Sequence, residues 1–123
     1  MKKIILTICI TLLTIVNLRA QTVSAQDSIV ARTTDSISFI VSGNCDMCQR
    51  TIEKAALISG VSSAEWDIDT GKMNVVYDPL KTDVLKIHQA IAASGYDTDK
   101  VKAKSSTYNG LPGCCQYERI SNE

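Results

Sequence analysis

Neither sign of charge prevails in this chain. Thirteen Lys and Arg face thirteen Asp and Glu across 123 residues, for a formal net charge of +0. A protein that binds nucleic acid through a broad basic field is thereby excluded. Histidine is nearly absent, with His88 alone, so catalysis that needs several imidazoles is excluded too. Aromatic residues make up only 5%. The length leaves room for one small domain rather than two. Cysteine is the exception to this scarcity. Five in so short a chain imply disulfides, metal binding or redox work.

A membrane-spanning run is also missing. Met1-Lys2-Lys3 is a short basic start, and the apolar stretch from Ile4 to Val16 falls short of the ~20 residues a spanning helix needs. With the small residue Ala20 after it, the segment 1–20 reads as a secretory signal peptide cut after Ala20. Cys9 would leave with that peptide, and no cysteine sits at the cut, as a lipoprotein would require. Loss of Lys2, Lys3 and Arg19 leaves 10 basic against 13 acidic residues, net −3. Four cysteines remain: Cys45, Cys48, Cys114 and Cys115. The expected location is periplasmic or secreted, where thiols can be oxidised and no membrane-inserted segment remains.

Residues 21–35 are polar and without periodicity, and read as a flexible leader. From Ser36 the pattern sharpens. Ile37, Phe39 and Val41 alternate with Ser38, Ile40 and Ser42, which predicts a strand. A helix is expected from about Cys48 to Ser59, with Ile52, Ala55, Ala56 and Ser59 on one face and Gly60 as its stop. Ala64, Trp66 and Ile68 predict a second strand, Asp69 to Lys72 a turn, and Met73, Val75 and Tyr77 a third strand that Pro79 closes. A second helix is expected with Thr82 as N-cap and Asp83 in its first turn. Its stripe is Val84, Ile87, Ile91 and Ser94, thickened by Leu85 and Ala90, and Gly95 ends it. A short last strand can be drawn from Tyr96 to Ala103. Trp66 and Tyr77 read as core, and His88 as a surface or core-edge residue.

That order is the α+β, ferredoxin-like βαββαβ arrangement, a four-stranded antiparallel sheet with two helices on one face. The domain covers 36–103, and residues 104–123 form a cysteine-containing C-terminal tail. Cys45 and Cys48 make a C-x-x-C at the junction of first strand and first helix. The helix N-terminus favours thiolate there, most strongly for Cys48. Two converging thiolates form a soft site, suited to Cu(I), Hg(II), Cd(II) or Zn(II) rather than hard cations. A thiol–disulfide redox protein would use the same pair, but a thioredoxin-like motif wants an aromatic and a Pro around it. Asn44-Cys45-Asp46-Met47-Cys48 has neither, and Asp46 disfavours thiolate.

With V-S-G-N-C-D-M-C at 41–48, G-V-S-S-A-E-W-D-I-D at 60–69, V-V-Y-D-P at 75–79 and I-x-x-A-I-x-x-x-G-Y from Ile87 to Tyr96, the chain resembles the heavy-metal-associated domain family. That family includes copper chaperones, metal-binding domains of heavy-metal ATPases and periplasmic mercury-binding proteins. The resemblance places metal on Cys45 and Cys48 and sets Tyr96 beside the metal loop, either as a core cap or as a modulator of the metal. Family members usually read G-M-x-C-x-x-C, with a Met packed under the loop. Here Gly43-Asn44-Cys45 has no Met, which leaves loop geometry and metal preference open. The implied activity is binding and hand-over of Cu(I) first and Hg(II) second, not enzymatic catalysis. The implied partner is a metal-transport ATPase or another envelope metal-handling protein.

Cys114 and Cys115 follow Leu111-Pro112-Gly113, a turn-favouring sequence. Three readings stand. They are further ligands that fold back onto Cys45 and Cys48, which would suit Zn(II), Cd(II) or a small copper cluster; or they cross-link to the motif as disulfides; or they act apart. Tyr108, Leu111 and Tyr117 give the tail apolar content with which to dock.

Overall fold

A computed structural model describes residues 33–119. The segment 1–20 and most of the leader over 21–35 lie outside the described residues. Strands β1 (Asp35–Ile40), β2 (Val61–Trp66) and β3 (Lys72–Tyr77) form one antiparallel sheet in the order β1-β3-β2. Ile37 faces Val75 and Phe39 faces Met73 across one seam, and Trp66 faces Met73 across the other. Helix α1 (Asp46–Ala56) joins β1 to β2, and α2 (Val84–Ala93) follows β3. The alternation read from the sequence holds on β3, where Met73, Val75 and Tyr77 are buried against the helices.

The fourth strand expected over Tyr96 to Ala103 is not built as a ladder. One isolated bridge, Val41 to Thr98, stands in its place. Ser42 N–H donates to the Asp97 carbonyl at 2.9 Å and Asp99 N–H to the Ile40 carbonyl at 3.1 Å. Beyond that the segment turns on itself. Thr98 Oγ1 accepts from the Val101 N–H at 2.9 Å, and Asp97 Oδ1 accepts from the Ala103 N–H at 2.8 Å. Short polar side chains that bond their own backbone compete with ladder pairing. Among the described residues the sheet therefore has three strands.

Element ends also move. Helix α1 begins at Asp46, with Cys45 as its N-cap, and stops at Ala56, three residues before the expected Ser59. Gly60 has φ +96°, and a Cβ there would lie 2.8 Å from Lys81 Cβ. Its left-handed turn thus serves the connection into β2 rather than the helix end itself. Asp83, not Thr82, caps α2, and its carboxylate accepts from the Lys86 N–H at 2.9 Å. Asp is the better acceptor there, and Thr82 turns inward to a buried position. Leu85, expected in the apolar stripe, faces out. His88 is fully buried, not at a surface or edge. Its Nδ1 pairs with Thr98 Oγ1 at 2.8 Å, and its ring lies 4.0 Å from that of Phe39.

The core runs between the sheet and the helices through Phe39, Ile52, Trp66, Met73, Val75, Ile87 and Ile91. Trp66 ties it to the loops, with its indole N–H shared between the Val41 and Gly71 carbonyls at 3.1 Å each. Helix α1 covers the free edge of β2. Glu53 accepts from the Trp66 N–H at 2.9 Å and Gln49 donates to the Trp66 carbonyl at 2.8 Å, which satisfies an edge that would otherwise invite pairing.

Residues 104–119 of the tail dock on the domain. They form a short helix α3 (Ser105–Asn109) and a 3₁₀ turn, Gly113–Cys115. Leu111 packs on Gly95, whose φ is +107° and whose missing Cβ leaves the room: a Cβ there would meet Leu111 at 2.9 Å. Cys115 and Tyr117 complete the core. A thin domain of this size gains much from each such side chain.

Candidate metal centre

Cys45 and Cys48 sit where the β1 connection enters α1. Gly43 lies directly against the Trp66 ring, and a Cβ at Gly43 would come within 2.9 Å of it. The space under the loop is filled by Trp66 and Ile52, so no Met is needed there. This is the physical counterpart of the departure from G-M-x-C-x-x-C. The loop places the Cys45 and Cys48 sulfurs 3.5 Å apart.

The tail adds a third sulfur. Sγ of Cys45, Cys48 and Cys115 all lie within 4.8 Å of one another, with Cys45 partly open and the other two buried. Cys114 is exposed, its sulfur 4.0 Å from that of Cys115. The Cys45 thiol donates to the Cys114 carbonyl at 3.8 Å. All four thiols are unbridged. The two tail cysteines, equivalent in the sequence, therefore differ: one joins the motif and one stands outside it.

Burial pushes the Cys48 thiol up, but hydrogen bonds overcome it. The Asn44 N–H points at Cys48 Sγ from 3.5 Å, and Cys115, Cys45 and the Cys45 backbone add to it, so the net direction is down. Burial pushes Cys115 up to about 12, and its hydrogen bond to Cys48 adds to that rise. Of the two buried thiols, Cys48 is thus the easier to ionise and Cys115 the harder.

Tyr96 is buried beside these sulfurs. Burial, and then hydrogen bonds to Cys115 and Cys48, push its phenol well above the usual tyrosine range. It stays a neutral donor toward the sulfurs. Core cap and neighbour of the metal loop are here one role.

Cys115 is held by Arg119 and Asp97, which sequence reasoning passed over, and by Tyr108 and Tyr117, which it offered as apolar content for docking. Arg119 grips Asp97 with two hydrogen bonds, Nε to Oδ2 at 2.9 Å and a terminal nitrogen to Oδ1 at 2.8 Å, and also reaches the Ala103 carbonyl at 2.7 Å. Tyr117 accepts from the Asp97 N–H at 2.8 Å, donates to the Gly95 carbonyl at 3.0 Å, and stacks on Tyr96 with centroids 6.0 Å apart. Tyr108 donates to the Tyr117 carbonyl and carries the Arg119 guanidinium over its ring. The tail thus closes on Gly95-Tyr96-Asp97 and sets Cys115 over Cys48. No local signal marks an ion pair across 22 residues. The available hints were the apolar Leu111 and Tyr117.

The profile of the heavy-metal-associated domain matches residues 38–97. The chain is 40% identical over 55 residues to the copper chaperone CopZ of Staphylococcus haemolyticus (strain JCSC1435), covering 44% of this chain and 81% of that relative. This chain belongs to the heavy-metal-associated domain family. Its fold is similar to that of oxidised MerP from Ralstonia metallidurans CH34, with a TM-score of 0.51 and 32% identity over 54% of this chain and 94% of that one. It is also 35% identical over 68 residues to a zinc-transporting ATPase of Synechocystis sp. (strain ATCC 27184 / PCC 6803 / Kazusa), over 54% of this chain but only 9% of that protein's length. The family match ends at residue 97. Cys115, Tyr108, Tyr117 and Arg119 therefore lie outside the matched stretch, and the residues they grip, Gly95 to Asp97, lie at its end.

Proposed function

We propose that this chain is an exported carrier of one soft metal ion, Cu(I) first and Hg(II) second, held by Cys45, Cys48 and Cys115. The observation that carries the reading is the convergence of three sulfurs within 4.8 Å, two of them buried. Metal–thiolate bonds of about 2.3 Å put three sulfurs in a trigonal plane about 4.0 Å apart, close to the present spacing. Zn(II) and Cd(II) favour a fourth ligand, and Cys114 lies outside the converging set, so three-coordinate soft ions suit the site better. Likeness to a copper chaperone supports Cu(I) as cargo, and likeness to a zinc-transporting ATPase supports a metal-transport ATPase as partner. Hand-over proceeds by exchange. A partner thiolate bonds to the ion as one of the chain's thiolates leaves, and the oxidation state of the ion does not change. Export to the periplasm or beyond rests on the pattern of residues 1–20.

Competition with a chromophoric Cu(I) chelator under anaerobic conditions tests this. Wild type should hold about one Cu(I), and Cys45→Ser or Cys48→Ser should cost most of the affinity. Affinity unchanged in the double serine variant ends the reading. The lowered pKa of Cys48 also suits a thiol–disulfide redox protein. Disulfide reductase turnover above that of a free dithiol, lost in Cys45→Ser and accompanied by weak Cu(I) binding, would favour that role instead.

A further inference from the structure

The four thiols lie along a gradient from solvent to core. Cys114 is exposed, Cys45 is partly open, and Cys48 and Cys115 have 0% and 1% of their surface accessible. The outer sulfur is not remote from the inner ones. Cys114 Sγ is 4.0 Å from Cys115 Sγ, and the Cys114 carbonyl lies 3.8 Å from Cys45 Sγ. The backbone fixes this split. The 3₁₀ turn is closed by the Cys115 N–H to the Pro112 carbonyl at 2.8 Å and the Gln116 N–H to the Gly113 carbonyl at 3.3 Å. Consecutive side chains on that turn diverge, one inward and one outward. A metal–thiolate bond of about 2.3 Å lets a single ion span two sulfurs up to about 4.6 Å apart, so Cys114 and Cys115 can share one ion with the turn intact.

We infer that Cys114 is the loading thiolate of this site, which takes a soft ion from a small-molecule thiol complex in solution and passes it to Cys115 and the motif pair. The inference rests on the three-thiolate reading above. In the first step the Cys114 sulfur bonds to Cu(I) while the bond to one donor thiolate breaks, and the Cys114 proton leaves with that donor as its thiol. In the second step the Cys115 sulfur bonds to the ion. The donor's last thiolate departs with the Cys115 proton. In the third step the Cys48 and Cys45 sulfurs bond to the ion as the bond to Cys114 breaks; one of their two protons passes to the Cys114 sulfur, which becomes a thiol again, and the other is released to water. Copper remains Cu(I) throughout, and no oxidant or reductant takes part. The outer thiol makes the inner steps intramolecular, which raises the effective concentration of the ion at two buried sulfurs. It is not a ligand of the final site. It therefore alters the rate of filling and emptying and leaves the equilibrium alone.

The test is stopped-flow loading of the reduced protein from Cu(I)–glutathione, followed by thiolate-to-copper charge-transfer absorbance, beside chelator competition at equilibrium. Cys114→Ser should slow loading about tenfold, with chelator-derived affinity close to wild type. Cys114→Ala should do the same, since the alcohol is not the point. Cys115→Ser should lower the equilibrium affinity. Wild-type loading rates in both Cys114 variants would overturn the inference while the three-thiolate site stood. A loss of equilibrium affinity in Cys114→Ser as large as that in Cys115→Ser would also overturn it, because Cys114 would then be a resident ligand. Unchanged affinity in Cys115→Ser would remove the three-thiolate reading and the inference with it.

Discussion

His88 shows how much a single residue can depend on its surroundings. In the sequence it stands at the margin of an apolar stripe. In the fold its ring is enclosed, with Nδ1 on Thr98 and Nε2 without a hydrogen-bond partner among the described residues. Burial lowers its pKa, the Asp99 carboxylate at 3.7 Å opposes that, and Lys100 supports it. The folded pKa lies below the unfolded value of about 6.5, so the unfolded chain binds more protons as pH falls through that value. Stability should therefore drop as pH falls below about 6.5, and the decline should level off once pH passes the folded pKa. Urea unfolding midpoints at neutral and mildly acidic pH measure this. His88→Gln should be less stable at neutral pH but should lose much of the acid-dependent decline. An equal decline in the variant would show that other groups cause it.

At the scale of elements, the informative piece is the tail. Helix α3 and the 3₁₀ turn are too short to hold themselves, and their order comes from docking. Tyr117 fills core space against Tyr96 and Tyr108, and Arg119 pins Asp97. Arg119→Ala should cost about 1–2 kcal/mol, since hydrogen bonds to a charged group are lost at a partly open ion pair. Tyr117→Ala should cost about 3 kcal/mol, as for other buried aromatic residues. Both should lower Cu(I) affinity although neither touches the sulfurs, and Arg119→Lys should restore part of it. Truncation after Lys104 should reduce affinity at least as far as Cys115→Ser. Far-ultraviolet circular dichroism separates loss of the tail from loss of the domain. Truncated protein with wild-type Cu(I) affinity would show that Cys115 contributes nothing to the site.

The fourth strand belongs to the same scale. Tyr96 to Ala103 has the length and place of a strand, and one bridge to Val41 marks where it would pair. Asp97 and Thr98 divert their neighbours' N–H groups, and Asp97 is also the anchor for Arg119. Asp97 thus serves both the turn and the docked tail.

For the whole molecule, no helix among the described residues is long and apolar enough to cross a membrane. The basic start and the short apolar run of residues 1–16 lead to a specific expectation about processing. Expressed with residues 1–20 present in a bacterium, the protein should be recovered from the periplasmic or extracellular fraction. Intact mass should correspond to cleavage after Ala20. Uncleaved protein in the cytoplasmic fraction would refute export.

The sequence alone determined the elements whose information is local. Period-2 alternation marked β1 and β3. The run Asp69-Thr70-Gly71-Lys72 marked the hairpin, and C-x-x-C ahead of an amphipathic helix marked the first two sulfurs of the site. These depend on neighbours a few residues apart, and such patterns survive in one dimension. Only the tertiary structure decided that Cys115 turns in while Cys114 turns out. Only it packed Trp66 against Gly43, buried His88, and joined Arg119 to Asp97. Each of these is a contact between segments distant in the chain. Its sign depends on shape and burial in three dimensions, and no spacing in the sequence encodes it.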